Sequence, residues 1–133
     1  MKDKKILIVD DDKDLLLALR VRLASRGYAT VTATDADAAV RMAIVEEPDL
    51  ILLDLGLPDD NGFVVMDKLK QLGLLNSIPL IVVSARPQTV YKDAALVAGA
   101  KGYFQKPFDN EDLLRAIHKE LAAPSDTVEE ETH

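Results

Sequence analysis

Cysteine is absent from the 133-residue chain, which excludes a disulfide framework and any cysteine-based metal centre. That absence agrees with a cytoplasmic home, which is the location expected. Histidine is scarce: only His118 and His133 occur, one on a helix-like stretch and one at the very end. Neither is near the polar motifs described below, so a histidine triad or a phosphohistidine role is not expected. No apolar run approaches the length of a membrane span, and the first ten residues are charged and then strand-like, unlike a signal peptide. Basic clusters are small: Lys2, Lys4 and Lys5 at the start, then Arg20 with Arg22. With 23 acids against 16 bases and a net charge of −7, the chain lacks the clustered cations that nucleic-acid phosphates require. Direct binding to nucleic acid or membrane is therefore not expected.

What is present suits one globular domain. A hydrophobic share of 48% with 29% charged residues is an ordinary balance. A chain this long can bury roughly two-thirds of its unfolded surface. Four short apolar runs each stop on polar groups. Ile6-Leu7-Ile8-Val9 ends at Asp10 and Asp11, Leu50-Ile51-Leu52-Leu53 at Asp54, Leu80-Ile81-Val82-Val83 at Ser84, and Gly102-Tyr103-Phe104-Gln105 at Lys106-Pro107. A fifth run, Thr30-Val31-Thr32, is short.

Helix-like segments separate these runs. Asp12 is a capable N-cap for a helix ending near Ser25-Arg26, with Gly27 as its stop. Asp35 can cap a helix from Ala36 to about Val45, closed by Pro48. Leu57 to Gly62 is rich in turn residues, and helices are predicted over Phe63–Leu72 and Thr89–Ala98. Asp109 can cap a last helix running to about Leu121. Residues 124–133 hold four acids and no base, which reads as a disordered acidic tail or the start of a linker. Five strand–helix alternations predict a doubly wound α/β fold with right-handed crossovers. In such open parallel sheets ligands bind beyond the carboxyl ends of the strands, where all these polar residues fall.

Taken singly, each of these residues has a duller reading. A strand-end Asp often caps the next helix, as Asp12 is expected to do; Ser84 would be a turn hydroxyl and Lys106 a solvated charge. Together they form an ordered set. Three converging carboxylates raise one another's pKa unless a cation joins them. A hard divalent ion with oxygen ligands resolves this, and Mg²⁺ suits a site of few carboxylates.

Over residues 4–122 the chain resembles a receiver domain of the two-component response-regulator family, the CheY-like superfamily. The motifs that carry the resemblance are Ile8-Val9-Asp10-Asp11-Asp12, Leu53-Asp54-Leu55-Gly56-Leu57-Pro58 with Gly62, Val82-Val83-Ser84-Ala85, and Gly99 through Phe108. The resemblance implies a flavodoxin-like (βα)5 sandwich with strand order 2-1-3-4-5, and a receiver over 1–123. It implies that Asp54 accepts the phosphoryl group, with Ser84 and Lys106 assisting. It also implies Mg²⁺ held by Asp11 and Asp54 directly, by Asp10 through water, and by the Gly56 carbonyl, and a cis bond before Pro107.

The implied partners are a sensor histidine kinase or histidine phosphotransfer protein as donor, and a downstream effector or output domain. The chain would act as a switch, catalysing only its own phosphorylation and dephosphorylation. Ser84 and Tyr103 would carry the signal outward, the ring turning inward as Ser84 moves. Gly56 and Arg86 would flank the route of the water that hydrolyses the acyl phosphate. Lys101-Gly102 replaces acidic residues found in many winged-helix regulators of the family, which weakens that subfamily's mode of dimerisation. On the first helix, Leu17 and Val21 lie farthest from the core side and are candidates for docking the donor.

Two other readings differ in class. A haloacid-dehalogenase-type phosphatase would use Asp10-Asp11-Asp12, Ser84 and Lys106, but needs a further acid-bearing strand and leaves Asp54 and Gly56-Leu57-Pro58 unexplained. A pseudo-receiver that only binds partners would normally lack one of the five polar groups; this chain has them all.

Overall fold

The computed structural model describes residues 3–131. Strands β1 (Lys5–Val9), β2 (Ala29–Ala33), β3 (Leu50–Leu53), β4 (Leu80–Ser84) and β5 (Gly102–Gln105) form one parallel sheet in the order β2-β1-β3-β4-β5. Between and after them lie α1 (Lys13–Ala24), α2 (Ala36–Glu46), α3 (Gly62–Gln71), α4 (Gln88–Val97) and α5 (Asn110–Glu131). This is the doubly wound α/β architecture and the strand order expected.

The two-residue period of a strand explains the layers. Ile6 and Ile8 of β1 pack with Leu16, Leu19 and Leu23 of α1 and with Leu113, Leu114 and Ile117 of α5. Leu7 and Val9 turn to the other side, against Ala39 and Ala43 of α2, Met66 and Leu69 of α3, and Ala95 of α4. With helices on both faces, the central strands need apolar residues at every position, and all four residues of β3 are buried. Each fully buried Leu or Ile contributes roughly 1.5–3 kcal/mol.

The caps follow the sequence. Asp12 accepts from the amides of Asp14 and Leu15 at 3.0 and 3.2 Å, Asp35 from Ala38 at 2.7 Å, and Asp109 from Glu111 and Asp112 at 2.8 and 3.1 Å. Gly27 follows α1 with φ +87°, a conformation that side chains resist. Several boundaries differ from expectation. A 3-10 turn at Leu74–Asn76 precedes β4, and α4 begins directly after Pro87. Helix α2 ends at Glu47, which takes a left-handed φ of +47° without being glycine.

The largest correction concerns α5. An end near Leu121 and a disordered tail or linker over 124–133 were expected, but the helix continues to Glu131; Thr132 and His133 lie outside the described residues. Pro124 forfeits one intrahelical bond and costs about 3 kcal/mol in a helix interior. The Ala and Glu residues on either side favour helix and offset that break. Among the described residues no helix is long and apolar enough to cross a membrane.

Candidate functional site

The polar residues stand in one row because the sheet ladder extends one rung past the strands. The Asp10 amide donates to the Ala33 carbonyl at 3.1 Å, that of Asp54 to Val9 at 3.0 Å, and that of Lys106 to Ser84 at 2.8 Å. The backbone therefore fixes each residue at the carboxyl edge before its side chain makes any contact. The loop after β3 is closed by a bridge between Gly56 and Asn61 and by the Gly62 amide on the Leu55 carbonyl at 2.9 Å. A Cβ on Gly62 would lie 2.8 Å from the Asp54 carbonyl oxygen and 2.9 Å from Leu55 Cα, so this close approach requires glycine.

Asp10, Asp11 and Asp54 each offer a carboxylate oxygen, and these oxygens lie within 4.8 Å of one another. Asp10 and Asp54 are buried, whereas Asp11 is exposed at the mouth. Lys106 places its ammonium 2.7 Å from Asp10 Oδ2 and 3.7 Å from Asp54 Oδ2. Asp10 Oδ1 accepts from the Asp12 amide at 2.9 Å, and Asp54 Oδ1 from the Gly56 amide at 3.2 Å. Ser84 Oγ accepts from the Arg86 amide at 3.2 Å. The bond before Pro107 is cis.

Burial pushes the pKa of Asp10 above its ordinary 3.8, despite the opposing hydrogen bond from Lys106. Lys106 is also buried in part, which works against its charge. The bond and attraction to Asp10, with Asp54 and Asp12 adding, nevertheless leave its pKa above 10.5. An ion pair alone would lower the acid. The desolvation falls mainly on Asp10, whose side chain is 3% exposed against 22% for Lys106. The acid cluster thus carries a surplus of negative charge that one ammonium does not cancel, and its oxygens suit a hard cation.

Ser84 and Tyr103 face the same side of the sheet on paired strands, with Val82 opposite Tyr103 and Ser84 opposite Gln105. Three contacts were not anticipated from the sequence. The Arg86 guanidinium lies over the Tyr91 ring, 5.4 Å from its centroid, and Gln105 Oε1 accepts from the Gln88 amide at 2.9 Å, capping α4. Asp59 reaches the first turn of α2. The turn-rich Leu57–Gly62 segment hinted at an acceptor there, but its target lies 22 and 23 residues away in the chain.

The profile of the response regulator receiver domain matches residues 6–118. The transcriptional regulatory protein KdpE of Mycobacterium tuberculosis is 42% identical over 112 residues, covering 84% of this chain and 48% of that protein. The chain thus spans about half the length of that relative. Among solved structures, a CheY-like receiver domain protein from Methanospirillum hungatei is 32% identical with a TM-score of 0.84, covering 98% of this chain and 99% of that one. The response regulator TrrA of Thermotoga maritima, solved in complex with Mg²⁺ and BeF, is 25% identical with a TM-score of 0.79, covering 89% and 99% of the two chains. By sequence and by fold, the chain belongs to the response regulator receiver domain family.

Proposed function

We propose that this chain is a phosphorylation-controlled switch whose Asp54 accepts a phosphoryl group from the phosphohistidine of a sensor histidine kinase or a histidine phosphotransfer protein. One observation carries the reading. The Asp54 carboxylate is 7% exposed, with Asp10 and Asp11 oxygens within 4.8 Å and the Lys106 ammonium 3.7 Å from its Oδ2. An isolated strand-end cap would have no use for such surroundings.

In the transfer an Asp54 oxygen forms a bond to phosphorus as the phosphorus–nitrogen bond of the donor imidazole breaks. The protein's task is to position the groups and stabilise charge on the phosphoryl oxygens. Lys106 provides an ammonium at that place, and the Ser84 hydroxyl a hydrogen bond. Asp11 and Asp54 would hold Mg²⁺ directly, Asp10 through water, with the Gly56 carbonyl adding an oxygen. Bound Mg²⁺ supplies positive charge that keeps Asp54 ionised and offsets charge on the phosphoryl group. The Mg²⁺ and BeF bound to TrrA support this choice of ion.

Residues 1–123 act as the receiver, and 124–133 lead toward whatever it controls. The name of KdpE supports a transcriptional output domain or downstream effector, with nucleic acid contacted by that partner and not by this acidic chain. The site of action is the cytoplasm. Beyond its own phosphorylation and dephosphorylation the chain catalyses nothing. A haloacid-dehalogenase-type phosphatase is disfavoured because α5 alone follows β5 among the described residues. A pseudo-receiver is disfavoured by the complete set of five polar groups.

Intact mass spectrometry after incubation with acetyl phosphate tests the reading. Wild type should gain one phosphoryl group only with Mg²⁺ present, and Asp54→Asn none. Labelling that survives in Asp54→Asn would overturn it.

A further inference from the structure

We infer that Asp59 is a positioning residue for the phosphoryl-accepting site: its carboxylate ties the β3–α3 loop to α2 and thereby holds the Gly56 amide against Asp54. The inference rests on the receiver reading for what the site does, but the tether itself stands on contacts alone.

The first amides of a helix have no partners within it. In α2 they are shared between two acids from different parts of the chain. Asp35, the residue before the helix, takes the Ala38 amide at 2.7 Å in the ordinary way. Asp59, in the loop after β3, takes the two remaining amides with one oxygen each: Ala36 to Oδ1 at 2.7 Å and Asp37 to Oδ2 at 3.1 Å. The Ala36 bond is the chief reason the Asp59 pKa falls below 3.8. A negative charge at this end of a helix is also favoured by the helix dipole.

A second acid is more than α2 needs for a start, since Asp35 alone makes a competent cap. The loop is the part that lacks support. Pro58, Asp59 and Asp60 are all exposed, and Leu57 is its inward anchor. Among the described residues, the two Asp59 bonds are the hydrogen bonds that join the outer part of this loop to another element. At the loop's inner end, Gly56 pairs with Asn61 and gives its amide to Asp54 Oδ1 at 3.2 Å. Helix α2 is itself seated in the core through Ala36, Ala39 and Ala43. Asp59 thus carries the rigidity of a packed helix into a loop that sets the orientation of the reactive carboxylate. Partners of this kind, one step behind a metal's ligands, typically alter affinity by roughly 10–100-fold when removed.

The test compares wild type, Asp59→Ala, Asp59→Asn and Asp35→Ala by amide hydrogen exchange and by MgCl₂ titration followed in the same NMR spectra. Asp59→Ala should speed exchange at Gly56 by roughly tenfold and weaken Mg²⁺ binding by a similar factor. Asp59→Asn, which keeps one acceptor oxygen, should fall between it and wild type. Asp35→Ala removes the other cap, so it should free the Ala38 amide and lower the melting temperature while leaving Gly56 and the Mg²⁺ titration as in wild type. If Asp59→Ala frees only Ala36 and Asp37, or if Asp35→Ala disturbs Gly56 equally, Asp59 is a helix cap and the inference fails. Should wild type bind no Mg²⁺, the receiver reading falls, while Gly56 exchange still decides whether the tether exists.

Discussion

The Tyr103 hydroxyl donates to the Arg86 carbonyl at 2.8 Å, and the Arg86 amide donates to Ser84 Oγ at 3.2 Å. Both proposed switch residues therefore grip the same peptide segment, from β5 on one side and from the end of β4 on the other. The ring was expected to turn inward as Ser84 moved. It is already buried here, at 7% exposure. Beryllofluoride should therefore draw Ser84 Oγ away from the Arg86 amide while Tyr103 keeps its rotamer. Side-chain and ring relaxation measurements with and without beryllofluoride test this; a ring that moves while Ser84 stays still would contradict it. Tyr103→Phe should cost about 1 kcal/mol through the lost hydrogen bond.

Asp10 bears the strain of the metal-free site. Its raised pKa means that the folded chain holds the proton more tightly than the unfolded chain does. Its contribution is therefore most favourable below 3.8 and declines as pH rises through the higher folded value. Lys106, raised above 10.5, contributes fully below that value and loses its contribution as pH climbs through the folded one. Asp10→Asn should thus stabilise the metal-free protein at pH 7 by on the order of 1 kcal/mol, with the gain vanishing in acid. Thermal melts across pH check the sign. In Mg²⁺ calorimetry, Asp11→Ala should lose more affinity than Asp10→Ala, and equal losses would refute that ranking of ligands.

Arg86 should lengthen the life of the phosphorylated form, because its guanidinium can pair with phosphoryl oxygens and shield them from water. In this structure the guanidinium is held over Tyr91, 5.4 Å from the ring centroid, so the two partners compete for it. Arg86→Ala should hydrolyse faster. Tyr91→Ala should hydrolyse more slowly, by roughly two- to fivefold if the ring contact contributes 0.5–1 kcal/mol. Decay of labelled protein measures both, and a change of the same sign in the two variants would rule out the competition.

Leu17 and Val21 of α1 are 62% and 64% exposed, while Leu16, Leu19 and Leu23 fill the core. Replacing Leu17 and Val21 together with Ser should slow transfer from the cognate donor by roughly tenfold, the effect of about 1.4 kcal/mol lost at an interface. Labelling by acetyl phosphate should be unaffected. A parallel loss of both activities would point to structural damage instead of a docking face.

Much of this molecule was legible in the sequence because its signals are local. Asp12, Asp35 and Asp109 cap helices that begin immediately beside them, and Gly27 ends the helix just before it. The strand ends could be read because β1 and β3 must be apolar on both faces and turn polar only where they leave the core. What escaped was non-local. Asp59 caps a helix more than twenty residues upstream, Gln105 caps the helix that precedes its own strand, and Lys106 finds Asp10 across 96 positions. The end of α5 was misplaced for a different reason: Pro124 was given more weight than the helix formers around it, and the helix runs on to Glu131.

The central claim is that Asp54 carries the phosphoryl group, and borohydride reduction tests it most directly. An aspartyl phosphate is an acyl phosphate, which borohydride reduces to homoserine, leaving a stable mark at the modified position. Protein treated with acetyl phosphate and Mg²⁺, then reduced and digested, should show homoserine at position 54 and at no other aspartate. Omitting Mg²⁺ should abolish the mark. Homoserine at Asp10 or Asp11, or its absence from position 54 in protein shown to be phosphorylated, would contradict the assignment.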